Sequence, residues 1–230
     1  MMAGMDDDAL RRQVRKFVYD EFVKQAVPPV VEDLMRAFSI PRATVERILG
    51  ELDAARHLAL VRGTSRILMA WPFSAIATPY RMRRGGREYF ANCAWDAIAF
   101  HAMLRDDVQV RSSCHHCAQP IEIDLSWGRA VRTVPLGAIV YLAIPAAHWW
   151  DDIITTCSNT MVFFSSPEHR DASALCAGDA DGASLDPDQA YALSDPIYSR
   201  RLELDYARPP RDELVEHFAR MGLTGDFWAI

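Results

Sequence analysis

The sequence has no excess of positive charge, no long apolar run and no even complement of cysteines, and each lack removes a class of function. Its 25 Lys+Arg stand against 31 Asp+Glu, a formal net charge of −6. Nucleic-acid binding needs a basic face to neutralise phosphates, so nucleic acid is not expected as the main partner. No stretch reaches the roughly 18 apolar residues of a membrane-spanning helix. The most apolar window, 136–147, is shorter and contains Pro145. Asp6, Asp7 and Asp8 stand where an export signal would be basic and then apolar, which predicts no export. Five cysteines cannot all pair internally, and reduced thiols in the cytoplasm fit that number best. Internal repeats and low-complexity tracts are also missing.

What is present suits a globular chain with a real core: 230 residues, half of them hydrophobic and 24% charged. Residues 6–26 read as an amphipathic helix, with Leu10, Val14, Phe17, Val18 and Phe22 on one face. Pro28-Pro29 ends it. A short helix over 30–38 and a third over about 42–55 follow, the latter with Val45, Ile48, Leu49 and Leu52 as its stripe. Residues 58–61 and 66–70, split by the turn-like Arg62-Gly63-Thr64-Ser65, read as a hairpin. Three helices and a hairpin are the order of a winged helix, expected over 1–75. In DNA-binding versions the third helix enters the major groove; here it offers Arg42, Thr44, Glu46 and Arg47, a mixed set.

Residues 76–230 are expected to form an α+β domain of antiparallel strands surrounded by helices. The stretch 71–91, rich in Pro and Arg, reads as a connector and solvated loop, compatible with a hairpin. A helix is expected over about 92–104. Strands are expected near 108–111, 121–125, 130–134 and 138–144, and again at 153–156 and 161–164. Ser165-Ser166-Pro167-Glu168 has the form of a helix start, with a serine cap, an early proline and an acid in the first turn; that helix is expected to reach Cys176. A polar loop over 178–187, helices over 187–204 and 211–221, and a tail packing back on the body complete the chain.

Chemistry concentrates in three places. Asn92-Cys93-Ala94-Trp95-Asp96 sets a thiol and an acid three residues apart, neighbours on one face if helical. Such a pair can bind a soft metal or move a proton for a nucleophile; it also fits a buried cysteine beside a capping aspartate. Cys114-His115-His116-Cys117 is half of a tetrahedral zinc site. The other half is not evident, since Cys157 and Cys176 are single and His148 and His169 isolated, and a tight hairpin with packed thiols is the simpler explanation. The third is 148–157, HWWDDIITTC, where Trp149-Trp150 can wall a pocket or simply fill core, Asp151-Asp152 can turn, cap or ligate, and Cys157 ends the run.

Cys93 and Asp96 in Asn-Cys-Ala-Trp-Asp-Ala, followed some sixty residues later by Cys157 before Val162-Phe163-Phe164-Ser165, resemble the organomercurial (alkylmercury) lyases. The resemblance extends through most of the chain. It implies carbon–mercury cleavage by protonolysis, with Cys93 and Cys157 holding mercury and Asp96 passing a proton to the departing carbon and then helping to retain Hg(II). Cys117, with Ser113 or Cys114 before it, is similar to the family's Ser-Ser-His-Cys stretch, whose cysteine is regarded as structural. The resemblance also implies an organomercurial substrate, no organic cofactor, and a low-molecular-weight thiol or a mercuric reductase as acceptor of Hg(II). Two departures stand out. The spacing from Cys157 to Phe163-Phe164 is one residue longer than usual, which puts Ser158 in contention for the second-cysteine position. Thr160 and Met161 stand where a histidine-containing segment is common. Other readings of the same residues are a divergent thiol-based metal-binding protein, a metal-responsive winged-helix regulator, and a zinc protein built on Cys114 and Cys117.

Overall fold

The computed structural model describes residues 6–176 and 182–230. Helix α1 (Asp7–Gln25) is capped by the Asp6 carboxylate and carries Asp7 and Asp8 in its first turn and Lys24 in its last, matching the helix dipole at both ends. Leu10, Val14, Val18 and Phe22 are buried along its inner face. Helices α2 (Val31–Phe38) and α3 (Arg42–Ala54) follow. Strands β1 (Ala59–Leu60), β2 (Ile67–Ala70) and β3 (Phe73–Ser74) form a small antiparallel sheet. The expected order of three helices and a hairpin is therefore present.

The N-terminal elements share a continuous core with the rest. Phe22 stacks on Phe73 at 4.9 Å between ring centroids, and Phe73 meets Phe100 edge-on at 5.4 Å. Tyr89 reaches back, its hydroxyl donating to the Val23 carbonyl at 2.7 Å.

The 71–91 stretch is not the solvated loop expected. It contains β3 and the hairpin of β4 (Arg81–Arg84) and β5 (Arg87–Phe90). Gly85 and Gly86 turn that hairpin with φ of 54° and 80°, the left-handed pair that suits the twist of a two-residue hairpin loop. Arginines face outward while Met82 and Tyr89 point in, so a charged surface concealed the period-2 burial.

Helix α4 (Ala94–Leu104) is buried on every side but its last residue, as a helix apolar all round must be. Around it lie the five-stranded antiparallel sheet β5-β4-β6-β7-β8, with β6 (Val108–Ser113), β7 (Pro120–Ser126) and β8 (Arg129–Val134), and a second three-stranded sheet. In the latter, β9 (Ile139–Leu142) is flanked by β10 (Met161–Phe164) and β11 (Ala183–Leu185).

Between β9 and β10 the chain coils where a strand over 153–156 was expected. A short helix α5 (Ile153–Thr155) runs into a π-helical turn, Thr156–Thr160. The β-branched run favoured a strand, but Asp152 caps the first turn by accepting from the Thr155 N–H at 3.1 Å, and Thr160 Oγ1 donates to the Thr156 carbonyl at 2.7 Å. Such π turns concentrate at functional sites.

Helix α6 (Pro167–Asp171) starts at the expected Ser166 cap but is shorter than anticipated, a separate 3₁₀ turn covering Ala174–Cys176. Of the expected polar loop, 178–181 lie outside the described residues and 183–185 form β11. Helix α7 (Pro187–Tyr198), with Pro196 inside its last turn, stops six residues early, and α8 (Arg211–Arg220) follows. Trp228 in the tail is buried against Phe218 and Trp149. The architecture is α+β.

Candidate active site

The thiol of Cys93 stands at the N-cap of α4 rather than inside the helix, and its Sγ accepts the Asp96 backbone N–H at 3.3 Å. A helix N-terminus presents unpaired N–H groups and favours negative charge, so the cap is a place where a thiolate can form. Asp96, one turn on, is buried among apolar neighbours yet fully engaged. Its Oδ1 accepts from the Tyr198 hydroxyl at 2.7 Å and its Oδ2 from Asn92 Nδ2 at 3.1 Å. Asn92 also donates to the Pro72 carbonyl, which fixes the amide.

Cys157 reaches this pair from the π turn. The sulfurs of Cys93 and Cys157 and a carboxylate oxygen of Asp96 all lie within 4.8 Å of one another, and all three residues are buried. Ser158 is exposed on the far side of the turn, so it is Cys157 that faces Cys93. Met161 adds a third sulfur, its Sδ 3.9 Å from Cys93 Sγ.

Burial sets the proton affinities. It pushes the Asp96 carboxyl up to about 6, against the opposing pull of Tyr198, Asn92 and the Arg201 charge. It pushes the Cys93 thiol well above its ordinary value, helped by the hydrogen bond to Cys157 and the nearby Asp96 charge. Tyr80 and Tyr198 are likewise raised by burial and hold their protons. The site at rest thus contains a protonated Cys93 and a carboxyl poised to give or take a proton near neutrality.

A cavity of about 70 Å³ opens onto these groups. Trp71, Trp95, Trp149 and Trp150 wall it, the expected Trp149-Trp150 pair included, and Trp71 meets Trp150 edge-on at 5.2 Å. Asp152 caps α5 and Asp151 pairs with His148 on the surface, so neither acid joins the site. On the cavity's C-terminal side stand Arg201 and Arg208. Arg201 donates to Tyr19 Oη and lies over the Tyr198 and Tyr206 rings, while Arg208 lies 4.1 Å from the centroid of the Trp150 ring. Among the described residues neither guanidinium is in a salt bridge.

Sequence reasoning placed Tyr198 only within the helix expected over 187–204, without a role, and it singled out neither arginine. A tyrosine on the inner face carries a polar tip that needs a buried partner, and that was the available signal. The other thiols lie elsewhere. Cys114 and Cys117 occupy the β6–β7 turn, and the structure brings His169, isolated in the sequence, to them. Cys176 is half-buried and belongs to neither group.

The alkylmercury lyase (MerB) family model matches residues 73–199, more than half of the chain and inclusive of Cys93, Asp96, Cys157 and Tyr198. An alkylmercury lyase of Staphylococcus epidermidis is 26% identical over 164 residues, covering 66% of this chain and 71% of that protein. One from Bacillus cereus is 27% identical over 140 residues, 60% of each. The crystal structure of the mercury-bound form of MerB2 superposes with a TM-score of 0.65 at 21% identity, covering 88% of this chain and 95% of that one, a likeness of fold. With its buried thiol, carboxyl and thiol inside the matched region, the chain belongs to the alkylmercury lyase family.

Proposed function

We propose that this chain cleaves carbon–mercury bonds by protonolysis, with Cys93 and Cys157 as mercury ligands and Asp96 as proton carrier. The observation that carries the reading is the convergence of two sulfurs and a carboxylate oxygen within 4.8 Å at the floor of an apolar cavity. Mercury is soft and thiolates are the soft ligands proteins have. The Cys93 sulfur displaces X⁻ from the arriving organomercurial R–Hg–X, forming an S–Hg bond, while its proton passes to ionised Asp96. Cys157 adds as the second thiolate, releasing its proton with X as HX. Electron density then builds on the carbon bound to mercury, and Asp96 delivers its proton there. The hydrocarbon R–H departs and Hg(II) remains on the two sulfurs with the carboxylate beside it. Overall, R–Hg–X and two thiols give R–H, HX and a mercury dithiolate.

Each neighbour has a part in this. Tyr198 and Asn92 hold both carboxylate oxygens, so Asp96 stays aimed between the sulfurs. The tryptophan walls exclude water, so the proton reaching carbon comes from Asp96. No organic cofactor is needed. A low-molecular-weight thiol or a mercuric reductase would take the Hg(II). Arg201 and Arg208 favour substrates whose organic group or exchangeable ligand is anionic.

A regulator that reads DNA through α3 is less well supported. Arg42 is paired with Glu32 and Glu46, and Arg47 with Asp7 and Glu51, leaving these arginines committed to carboxylates. No helix of the described residues is long and apolar enough to cross a membrane.

The direct test is incubation of the purified protein with an arylmercurial and excess thiol, with the arene measured by gas chromatography. Turnover is expected in the native chain and in Ser158→Ala, and loss in Cys93→Ser, Cys157→Ser and Asp96→Asn. Undiminished turnover in Cys157→Ser would overturn the assignment of the second ligand, and no arene from the native chain would overturn the activity.

A further inference from the structure

The turn joining β6 to β7 and the first turn of α6 bring together a second set of soft ligands, distinct from the cavity. Cys114 Sγ and Cys117 Sγ lie 3.7 and 3.4 Å from His169 Nδ1, and the three ligand atoms are all within 4.8 Å of one another. From this geometry we infer that Cys114, Cys117 and His169 bind a zinc ion, with the fourth position open to solvent beside the exposed Cys117.

The distances fit the metal. Zinc bonds of about 2.3 Å to sulfur and about 2.0–2.1 Å to nitrogen, at tetrahedral angles, put a sulfur and a nitrogen ligand about 3.5 Å apart. The two observed separations bracket that value. The cysteine spacing is that of a metal knuckle, and the knuckle is built locally. The Cys114 N–H donates to the Gln119 carbonyl at 2.8 Å and the Ala118 N–H to the Cys114 carbonyl at 2.9 Å, with Ala118 left-handed at φ 60°. Both sulfurs are thereby turned to one side.

The supporting contacts are also those a metal site needs. The His115 N–H donates to the Phe163 carbonyl at 2.9 Å, tying the knuckle to β10. His169 is set by α6, where its N–H donates to the Ser166 cap. Ser165 Oγ is 2.6 Å from His169 Nδ1. With the proton on Nε2, that Nδ1 lone pair faces the sulfurs and is the one a metal would take, freeing the Ser165 hydroxyl to donate to a thiolate. The ion would join segments 52 residues apart, clamping the β6–β7 turn to the chain leaving β10.

The test uses the whole chain and does not depend on lyase activity. Protein expressed with zinc in the medium and purified under reducing conditions is analysed for metal. One zinc per chain is expected in the native protein and in Cys93→Ser, and none in Cys117→Ser or His169→Ala. Cobalt(II) is then added to the native metal-free chain, where thiolate charge-transfer and tetrahedral d–d bands are expected. A Ser165→Ala variant should hold the metal roughly tenfold more weakly, as outer-sphere changes do. Circular dichroism checks that each variant is folded, and zinc protection of two of the five thiols from Ellman's reagent in the native chain gives a readout independent of variants. No zinc together with no cobalt spectrum overturns the inference. So does zinc that survives His169→Ala, or zinc that leaves with Cys93→Ser, which would put it in the cavity instead.

Discussion

Replacing Asp96 by Asn should stabilise the fold increasingly as pH rises. Burial lifts the Asp96 carboxyl from 3.8 to about 6. Below pH 3.8 the carboxyl is neutral in both folded and unfolded chains and this effect vanishes. Between 3.8 and about 6 the unfolded chain has released a proton that the folded chain keeps, so stability falls with rising pH. Above about 6 both forms are ionised and the full cost stands. At about 1.4 kcal/mol per tenfold in proton affinity, that cost is about 3 kcal/mol. At about pH 4.5 it has reached only about 1 kcal/mol, by the same relation. Asn is neutral throughout, and its lost hydrogen bonds form an offset that does not titrate. Cys93 keeps its proton across this window. The stability of Asp96→Asn relative to the native chain should therefore rise by about 2 kcal/mol between about pH 4.5 and 7.5, or about 4–8 °C in melting temperature for a chain of this size. Urea unfolding followed by tryptophan fluorescence at both pH values measures it. A difference that stays constant, or that swings toward the native chain as pH rises, refutes the reasoning, since it would mean that Tyr198, Asn92 and Arg201 outweigh burial.

Two further outcomes follow from the same contacts. Tyr198→Phe removes the O–H donor to Asp96 Oδ1, a charge-assisted bond worth about 1.5–3 kcal/mol. Activity requires ionised Asp96, so the acidic limb of the kcat/KM profile, expected near pH 6, should move up by about one to two pH units; an unmoved limb would show that Asp96 does not set it. Burial holds the Arg208 guanidinium down at about 10, still charged at neutral pH. Arg208→Gln should raise KM roughly tenfold for a carboxylate-bearing arylmercurial, about one charge-assisted hydrogen bond, with kcat kept. Methylmercury should be unaffected, and an equal loss for both substrates would count against an anion-favouring wall.

Local signals were legible and tertiary ones were not. Periodic stripes located α1, α2 and α3, because amphipathic helices write their inner face into the sequence. Cys93 and Asp96 were legible as a pair because cap and first turn are neighbours in sequence. The nearness of Cys157 was not, since it depends on Asp152 and Thr160 coiling a β-branched run that local propensity assigns to a strand. The same coil turns Ser158 out and so absorbs the extra residue of spacing. Tyr198 was hidden because the inner face of α7 reads as apolar whichever end of the side chain does the work. His169 stood isolated because its partners lie 52 and 55 residues earlier, brought to it by tertiary contacts such as the bond from the β6–β7 turn to β10.

The two thiol clusters flank one strand, β10, whose four residues span about 10 Å, yet their surroundings suit opposite tasks. A resident ion needs a scaffold hydrogen-bonded around its ligands, as the proposed zinc ligands have at the β6–β7 turn and the start of α6. A lyase must let its metal go. In the cavity Cys93 is buried, and burial raises its proton affinity, so in the proposed cycle the thiol stays neutral until a soft metal arrives to replace its proton. Two incoming thiols that exchange their protons for Hg(II) would restore Cys93 and Cys157 as thiols. A mercury dithiolate and a pair of thiols are both neutral, so the low polarity that opposes a free thiolate does not oppose either end of that exchange, and the concentration of incoming thiol sets its direction.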